Sequence, residues 1–201
     1  MSTPLRALVD TSVLLSDPLR EWMLRLVERV HAGAAGNAVP AGSDSGGCAP
    51  VPAAAPVALE WTKDIQREFW AGLKHRHPEW STGQRRVAER AWLRTCSPQP
   101  ISGYQRIIRA HVRDAEDAHL DSAAEHAGVD LLVTDDTRAF RPTVQSSYRI
   151  ASADEFLCLL ADLLTVQLVT AEVSCEDPET QARLLRSSGA VRFAERVHRQ
   201  Q

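Results

Sequence analysis

The stretch Val129-Asp130-Leu131-Leu132-Val133-Thr134-Asp135-Asp136 is apolar and partly β-branched until it stops on two acids. A short run of this kind reads as a strand buried on both faces, as in a parallel sheet. Just before it, Leu120, Ala123, Ala124 and Ala127 share one helical face, and Gly128 stands where a helix ends in the left-handed region. The N-terminus repeats the grammar. Arg6-Ala7-Leu8-Val9-Asp10 is a second β-type run ending on an acid, which Thr11 to Leu15 would continue. Asp17 and Pro18 then suit the N-cap and first position of a helix carrying Leu19, Trp22, Met23, Leu26 and Val30.

Further along, Val57-Ala58-Leu59 is a third β run. Thr62 can cap a helix bearing Ile65, Phe69 and Leu73, with Glu68 beside that stripe. Ser81 opens a helix expected to turn Val87, Ala88, Ala91 and Trp92 inward and Arg86, Arg90 and Arg94 outward, before Pro98 and Pro100 stop it. Tyr104 to Val112 fits strand and helix equally. A last strand, Tyr148 to Ala151, leads into a helix from Ala153 to Leu164. Strand–helix alternation predicts an α/β fold: three layers, α/β/α, around a central parallel sheet.

Two segments interrupt this pattern. Residues 32–56 are mostly Gly, Ala, Pro and Ser with almost no charge, which predicts a flexible insertion inside a domain spanning residues 1–164. Residues 165–201 contain two short helical patterns and read as a helical C-terminal extension. At 201 residues the chain is long enough for one sizeable core. A net charge of −3 leaves no global basic field, so any nucleic-acid contact has to be local. The basic residues are arginines except Lys63 and Lys74, as coding bias would give. The four cysteines have no metal or disulfide spacing, no apolar run approaches a membrane span, and the start lacks a signal pattern. These features predict a reduced, cytoplasmic protein with no membrane partner.

In a parallel sheet all strand carboxyl ends lie along one edge, so Asp10, Asp135 and Asp136 should meet. The helix expected to open at Asp114 brings Asp114, Glu116 and Asp117 towards the same edge. Clustered carboxylates resist joint ionisation unless a cation lies among them, and all-oxygen ligation suits Mg²⁺ or Mn²⁺. Such a site activates water for phosphoester hydrolysis.

On these residues the chain resembles the PIN-domain family. Ala7-Leu8-Val9-Asp10-Thr11-Ser12 is similar to its opening strand and first acid, and Ile65-Gln66-Arg67-Glu68 to its second acid. Asp114-Ala115-Glu116-Asp117-Ala118-His119 is similar to its third motif, Leu131 to Asp136 to its fourth, and Ile150 to Leu157 to its closing strand and helix. The resemblance implies a metal-dependent endoribonuclease with Asp10, Glu68, Asp117 and Asp136 as catalytic, metal-holding acids. It gives Ser12 and Thr134 supporting hydroxyl roles and selects Asp136 over Asp135 by spacing. It also implies a toxin of a toxin–antitoxin pair, with RNA as substrate and an antitoxin or a second copy as partner. The insertion and the C-terminal extension depart from the compact toxins of that family.

Other readings of single residues stand beside these. Asp114 is expected to cap the helix, with Asp117 turned about 60° around the axis towards the sheet. Glu68 could belong to a solvated face, since Asp64 lies one turn earlier, and His119 reads as a helix-surface residue. The row Arg86, Arg90, Arg94 reads as a solvated face or as a contact for an RNA backbone. A haloacid-dehalogenase-like phosphatase needs a second Asp where Ser12 stands. A catalytically weak module that only binds RNA or a protein is the alternative from another class.

Overall fold

The computed structural model describes residues 3–36, 56–140, 146–164 and 178–199. Four strands form one parallel sheet in the order β2-β1-β3-β4: β1 Leu5–Val9, β2 Val57–Glu60, β3 Leu131–Val133 and β4 Arg149–Ala151. Register places Leu8 between Glu60 and Leu132, and Val9 beside Val133. Ala7, Leu8, Val9 and all of β3 are buried, as residues of a sheet covered on both faces must be.

The chain leaves β1 in one direction to reach β2, then crosses β1 in the other direction to reach β3. Right-handed crossovers of opposite direction put their helices on opposite faces. Helix α2 (Asp17–Gly36) therefore covers one face, where it meets α6 (Ala153–Asp162), and α5 (Ala118–Ala127) covers the other, against β3. The three-layer α/β/α arrangement follows. It also fixes a switch point between β1 and β3, so the segments beginning at Asp10 and Thr134 leave the sheet side by side.

Several helix boundaries follow directly from side-chain chemistry. Thr62 accepts the Ile65 N–H at 3.0 Å at the start of α3 (Lys63–Arg76). Ser81 with Gln84 opens α4 (Thr82–Thr95), and Ser152 with Glu155 opens α6, each through a reciprocal capping box. Gly128 ends α5 at φ 59°, where the Val129 N–H reaches the Ala124 carbonyl at 3.2 Å and the Gly128 N–H reaches that of Glu125 at 3.3 Å.

Local expectations change at five places. Thr11 to Leu15 does not prolong the strand. Thr11–Leu14 is a one-turn helix, α1, whose first carbonyl, that of Asp10, accepts the Val13 and Leu14 N–H groups at 3.2 Å. Val87 is 63% exposed, because Trp92 and the half-buried Ala88 and Leu93 carry the packing of α4. Helix α2 continues to Gly36 and β2 begins at Val57, so residues 32–36 are helical; the expected insertion otherwise lies outside the described residues. The stretch from Tyr104 to Val112 forms neither helix nor strand but runs irregularly along α5, where Ser122 Oγ bonds both the N–H and the carbonyl of Ile107. With that cover, α5 is buried on every side from Ala118 to Ala124 instead of along one stripe.

Near the C-terminus, α7 (Pro178–Ser187) and α8 (Val191–Arg199) pack on α2 and α6. Phe193 meets Trp22 edge to face with ring centres 5.3 Å apart, and the Asp154 carboxylate accepts both the Phe193 N–H and Arg192 Nε at 2.8 Å. Among the described residues no helix is long and apolar enough to cross a membrane.

Because only glycine occupies the left-handed region without steric cost, Gly128→Ala is expected to destabilise the fold by about 1 kcal/mol in urea unfolding. An unchanged midpoint would show that α5 ends in some other way in solution.

Candidate metal centre

The centre is built on Asp10, the first residue after β1, whose side chain is 6% exposed. Its Oδ2 accepts Ser12 Oγ at 2.6 Å and Thr134 Oγ1 at 2.8 Å. Each hydroxyl in turn accepts a backbone N–H from the turn after β3: Asp135 to Ser12 at 3.2 Å, and Asp136 to Thr134 at 3.1 Å. Two relays therefore carry main-chain N–H polarity to one carboxylate oxygen and lock β1 to the β3 turn. The one-turn helix α1 is what folds Ser12 back onto Asp10.

The other Asp10 oxygen lies 3.1 Å from Thr11 Oγ1, which is also 3.0 Å from Glu68 Oε2 on α3. One hydroxyl proton faces two carboxylates, so Thr11 can donate to only one at a time. Glu68 is brought there by the close approach of α3 to the end of α1. A Cβ on Gly72, one turn after Glu68, would meet Leu15 Cδ1 at 2.4 Å. Glu68 thus belongs to the cluster and not to a solvated face only, although its side chain remains 44% exposed.

Asp117 feels the rest of the group. Burial, then the charges of Asp10, Asp114 and Asp136, push its carboxyl from 3.8 up to about 6, with the nearby His119 imidazole opposing. This coupling brings together acids from three separate segments. Asp135 points elsewhere: its Oδ1 accepts the Ala153 N–H at 2.9 Å at the start of α6, while burial raises its carboxyl. Asp136, rather than Asp135, is the acid of this turn whose charge acts on Asp117.

Asp114 does not cap the helix as expected. α5 begins at Ala118, Asp117 occupies the N-cap position without a side-chain cap bond, and Asp114 Oδ1 instead accepts the Glu116 N–H at 2.8 Å in a preceding turn. The irregular turn from Asp114 to Asp117 leaves the Asp117 carboxylate uncommitted to the helix end. His119 is buried, not on the surface, at 4% exposure. Its Nδ1 lies 2.8 Å from the Glu116 carbonyl and its Nε2 3.4 Å from Glu68 Oε1, the latter without hydrogen-bond geometry.

Next to Glu68 and His119 is a cavity of about 320 Å³, also lined by Asp64, Arg67, Ala71 and Arg106. Arg106 Nη2 donates to the Ala115 and Glu116 carbonyls at 2.5 and 2.7 Å, bracing the turn that carries Asp117. Arg86, Arg90 and Arg94 stand exposed on α4, where Arg90 Nε donates to the Arg86 carbonyl at 3.2 Å. The cations beside the acids are thus Arg67 and Arg106, which the helical row had not suggested. Thr11 and Arg106 were missed at the level of sequence, and His119 was read as a helix-surface residue. For Thr11 and His119 the available signal was closeness in the chain to Asp10 and Asp117; Arg106 gave none.

Among the described residues no three His, Cys, Asp or Glu side chains already meet around one point at ligating distance. The chemistry of the donor set nevertheless fits a hard divalent cation: carboxylates predominate, and the charges of Asp10, Asp114 and Asp136 act on Asp117.

The raised Asp117 carboxyl has a signed consequence. Between about 3.8 and about 6 the folded state holds this proton more tightly than the unfolded chain, so its contribution to stability falls as pH rises through that window. Asp117→Asn is therefore expected to melt at a higher temperature than the parent at about pH 7, with the gain shrinking towards nothing below about pH 4. A pH-independent difference in scanning calorimetry would contradict the coupling. Thr134→Val should cost about 1–3 kcal/mol, because it orphans the Asp136 N–H and removes one bond to Asp10. Equal stability of that variant in urea would show that the relay contributes nothing.

Comparisons of the chain with protein-family models, with curated proteins and with solved structures found no match.

Proposed function

We propose that this chain is a divalent-metal-dependent ribonuclease of PIN type, acting at the carboxylate cluster where β1 and β3 diverge. The observation that carries the proposal is the gathering of Asp10 and Glu68 around Thr11, with Asp10 tied by Ser12 and Thr134 to the turn of Asp135 and Asp136, and with Asp117 close enough to feel the charges of Asp10 and Asp136. Acids that repel one another at the carboxyl edge of a parallel sheet cost stability unless they serve a cation.

Asp10, Glu68, Asp117 and Asp136 would hold Mg²⁺ or Mn²⁺, which when bound supplies an activated water and stabilises charge on a phosphoryl group. The chain's own residues do the positioning. Ser12 and Thr134 fix one Asp10 oxygen, and Thr11 bridges Asp10 and Glu68. Asp135 keeps the β3 turn seated on α6, and Asp114 orders the turn before Asp117. Arg67 and Arg106 bring two guanidinium groups to the cavity beside Glu68, where they balance Asp64 and Glu68 and are the groups suited to contact a phosphodiester strand.

Purified protein with Mn²⁺ or Mg²⁺ is expected to cleave single-stranded RNA internally, and chelation is expected to stop it. Asp10→Asn and Asp136→Asn should each lose roughly a hundredfold or more of the rate while remaining folded. RNA cleavage that survives chelation, or full activity in Asp10→Asn, refutes the assignment. The toxin role implied by the resemblance has its own readout: induction of the chain arrests growth, and Asp10→Asn does not.

A further inference from the structure

His119 is the one buried side chain at this site whose chemistry the carboxylate scheme leaves unused. It is 4% exposed, lines the cavity beside Glu68, and its Nε2 has no hydrogen-bond partner among the described residues. The other ring nitrogen settles the tautomer. Nδ1 lies 2.8 Å from the Glu116 carbonyl, and a carbonyl oxygen can only accept, so the proton sits on Nδ1. In the neutral ring Nε2 then presents a lone pair to the cavity.

That lone pair faces a carboxylate. Glu68 Oε1 is 3.4 Å away, without donor geometry between them. Two acceptors facing each other across the cavity wall are reconciled by a cation between them. Donors bound to one metal at about 2.1 Å lie about 3.0 Å apart along an octahedral edge and about 3.4 Å apart along a tetrahedral one. The Glu68–His119 separation falls at the upper end of that range. Histidines that bind metals typically donate their remaining N–H to a backbone carbonyl or a carboxylate, as Nδ1 does here. Asp64, the other acid lining the cavity, is engaged by Arg67 and by the Tyr104 hydroxyl, so it does not compete for the role.

We propose that His119 Nε2, together with a Glu68 oxygen, ligates the divalent ion of this site, making it a mixed nitrogen–oxygen centre that prefers Mn²⁺ to Mg²⁺. The inference rests on the metal site proposed above and adds a ligand and a selectivity to it. Imidazole nitrogen suits transition ions, whereas Mg²⁺ favours oxygen alone.

The test is pulsed electron paramagnetic resonance of Mn²⁺ added to the full chain, which needs no turnover. The parent protein should show coupling to a directly bound ¹⁴N, and the pattern should change when histidine alone is ¹⁵N-labelled. His119→Asn can keep a donor for the Glu116 carbonyl but removes Nε2. It should lose the nitrogen coupling, bind Mn²⁺ about tenfold or more weakly, and bind Mg²⁺ nearly as before in a competition titration. Mn²⁺ bound with no nitrogen coupling in the parent overturns this inference and leaves the carboxylate site standing. No bound Mn²⁺ at all overturns both. Because the parent spectrum decides the point, a failure of His119→Asn to fold does not blunt the test.

Discussion

One carboxylate oxygen, Oδ2 of Asp10, joins the two central strands beyond the end of their backbone ladder. Ser12 and Thr134 donate to it, and both hydroxyls are themselves polarised by N–H groups of the β3 turn. Sheet pairing has ended by then, at Val9 and Val133. Without this junction, two loops bearing acids would leave the sheet under mutual repulsion and nothing would fix their separation. With it, Asp10 becomes the fixed member of the cluster, and Glu68, Asp117 and Asp136 are placed relative to it by α3, the turn before α5 and the turn after β3.

The turn before α5 is the least regular of these supports, and a second buried acid steadies it. Asp121 is fully buried and accepts from Arg109, from His111 at 2.7 Å and from the Tyr148 hydroxyl at 2.6 Å. A lone buried carboxylate would be expensive, whereas this one is paired and hydrogen-bonded. It ties the irregular segment between α4 and α5 to the helix and to the start of β4. Asp121 lies one helical turn beyond Asp117, so one face of α5 presents an acid to the cluster while the next turn anchors the covering segment. The two acids carry the same charge in opposite surroundings: Asp121 is met by Arg109, His111 and Tyr148, whereas Asp117 stands among Asp10, Asp114 and Asp136 and would meet a cation in the proposed function.

How much of this was legible depends on whether local sequence or distant cover decides a residue's environment. The strands, their parallel order of use and the acids at their ends follow from apolar runs closed by Asp, and Thr62, Ser81 and Gly128 announce their helix ends by chemistry. Asp135 and Asp136 are neighbours whose directions differ only because α6 offers an N–H to the first. The burial of His119, Asp121 and Ser122 was not legible, because it comes from a segment with no periodicity that lies over the outer face of α5. Val87 failed for the complementary reason: a stripe drawn at helical spacing was wider than the surface available to receive it. Thr11 escaped notice because its role requires a one-turn helix where the sequence reads as strand.

The packing of α8 on α2 has a consequence for synthesis on the ribosome. Trp22 emerges 171 residues before Phe193, yet the two rings share one buried contact, and Gln181 bonds the Trp22 indole from 159 residues away. Until α8 has cleared the exit tunnel, the indole face of α2 lacks the cover of Phe193. The strands that end in Asp10 and Asp136 are complete well before that moment. Vectorial production therefore separates the two flanks in time: the acidic edge can be assembled while the opposite flank is still open to a chaperone, and the nine residues of α8 act as a late latch over α2.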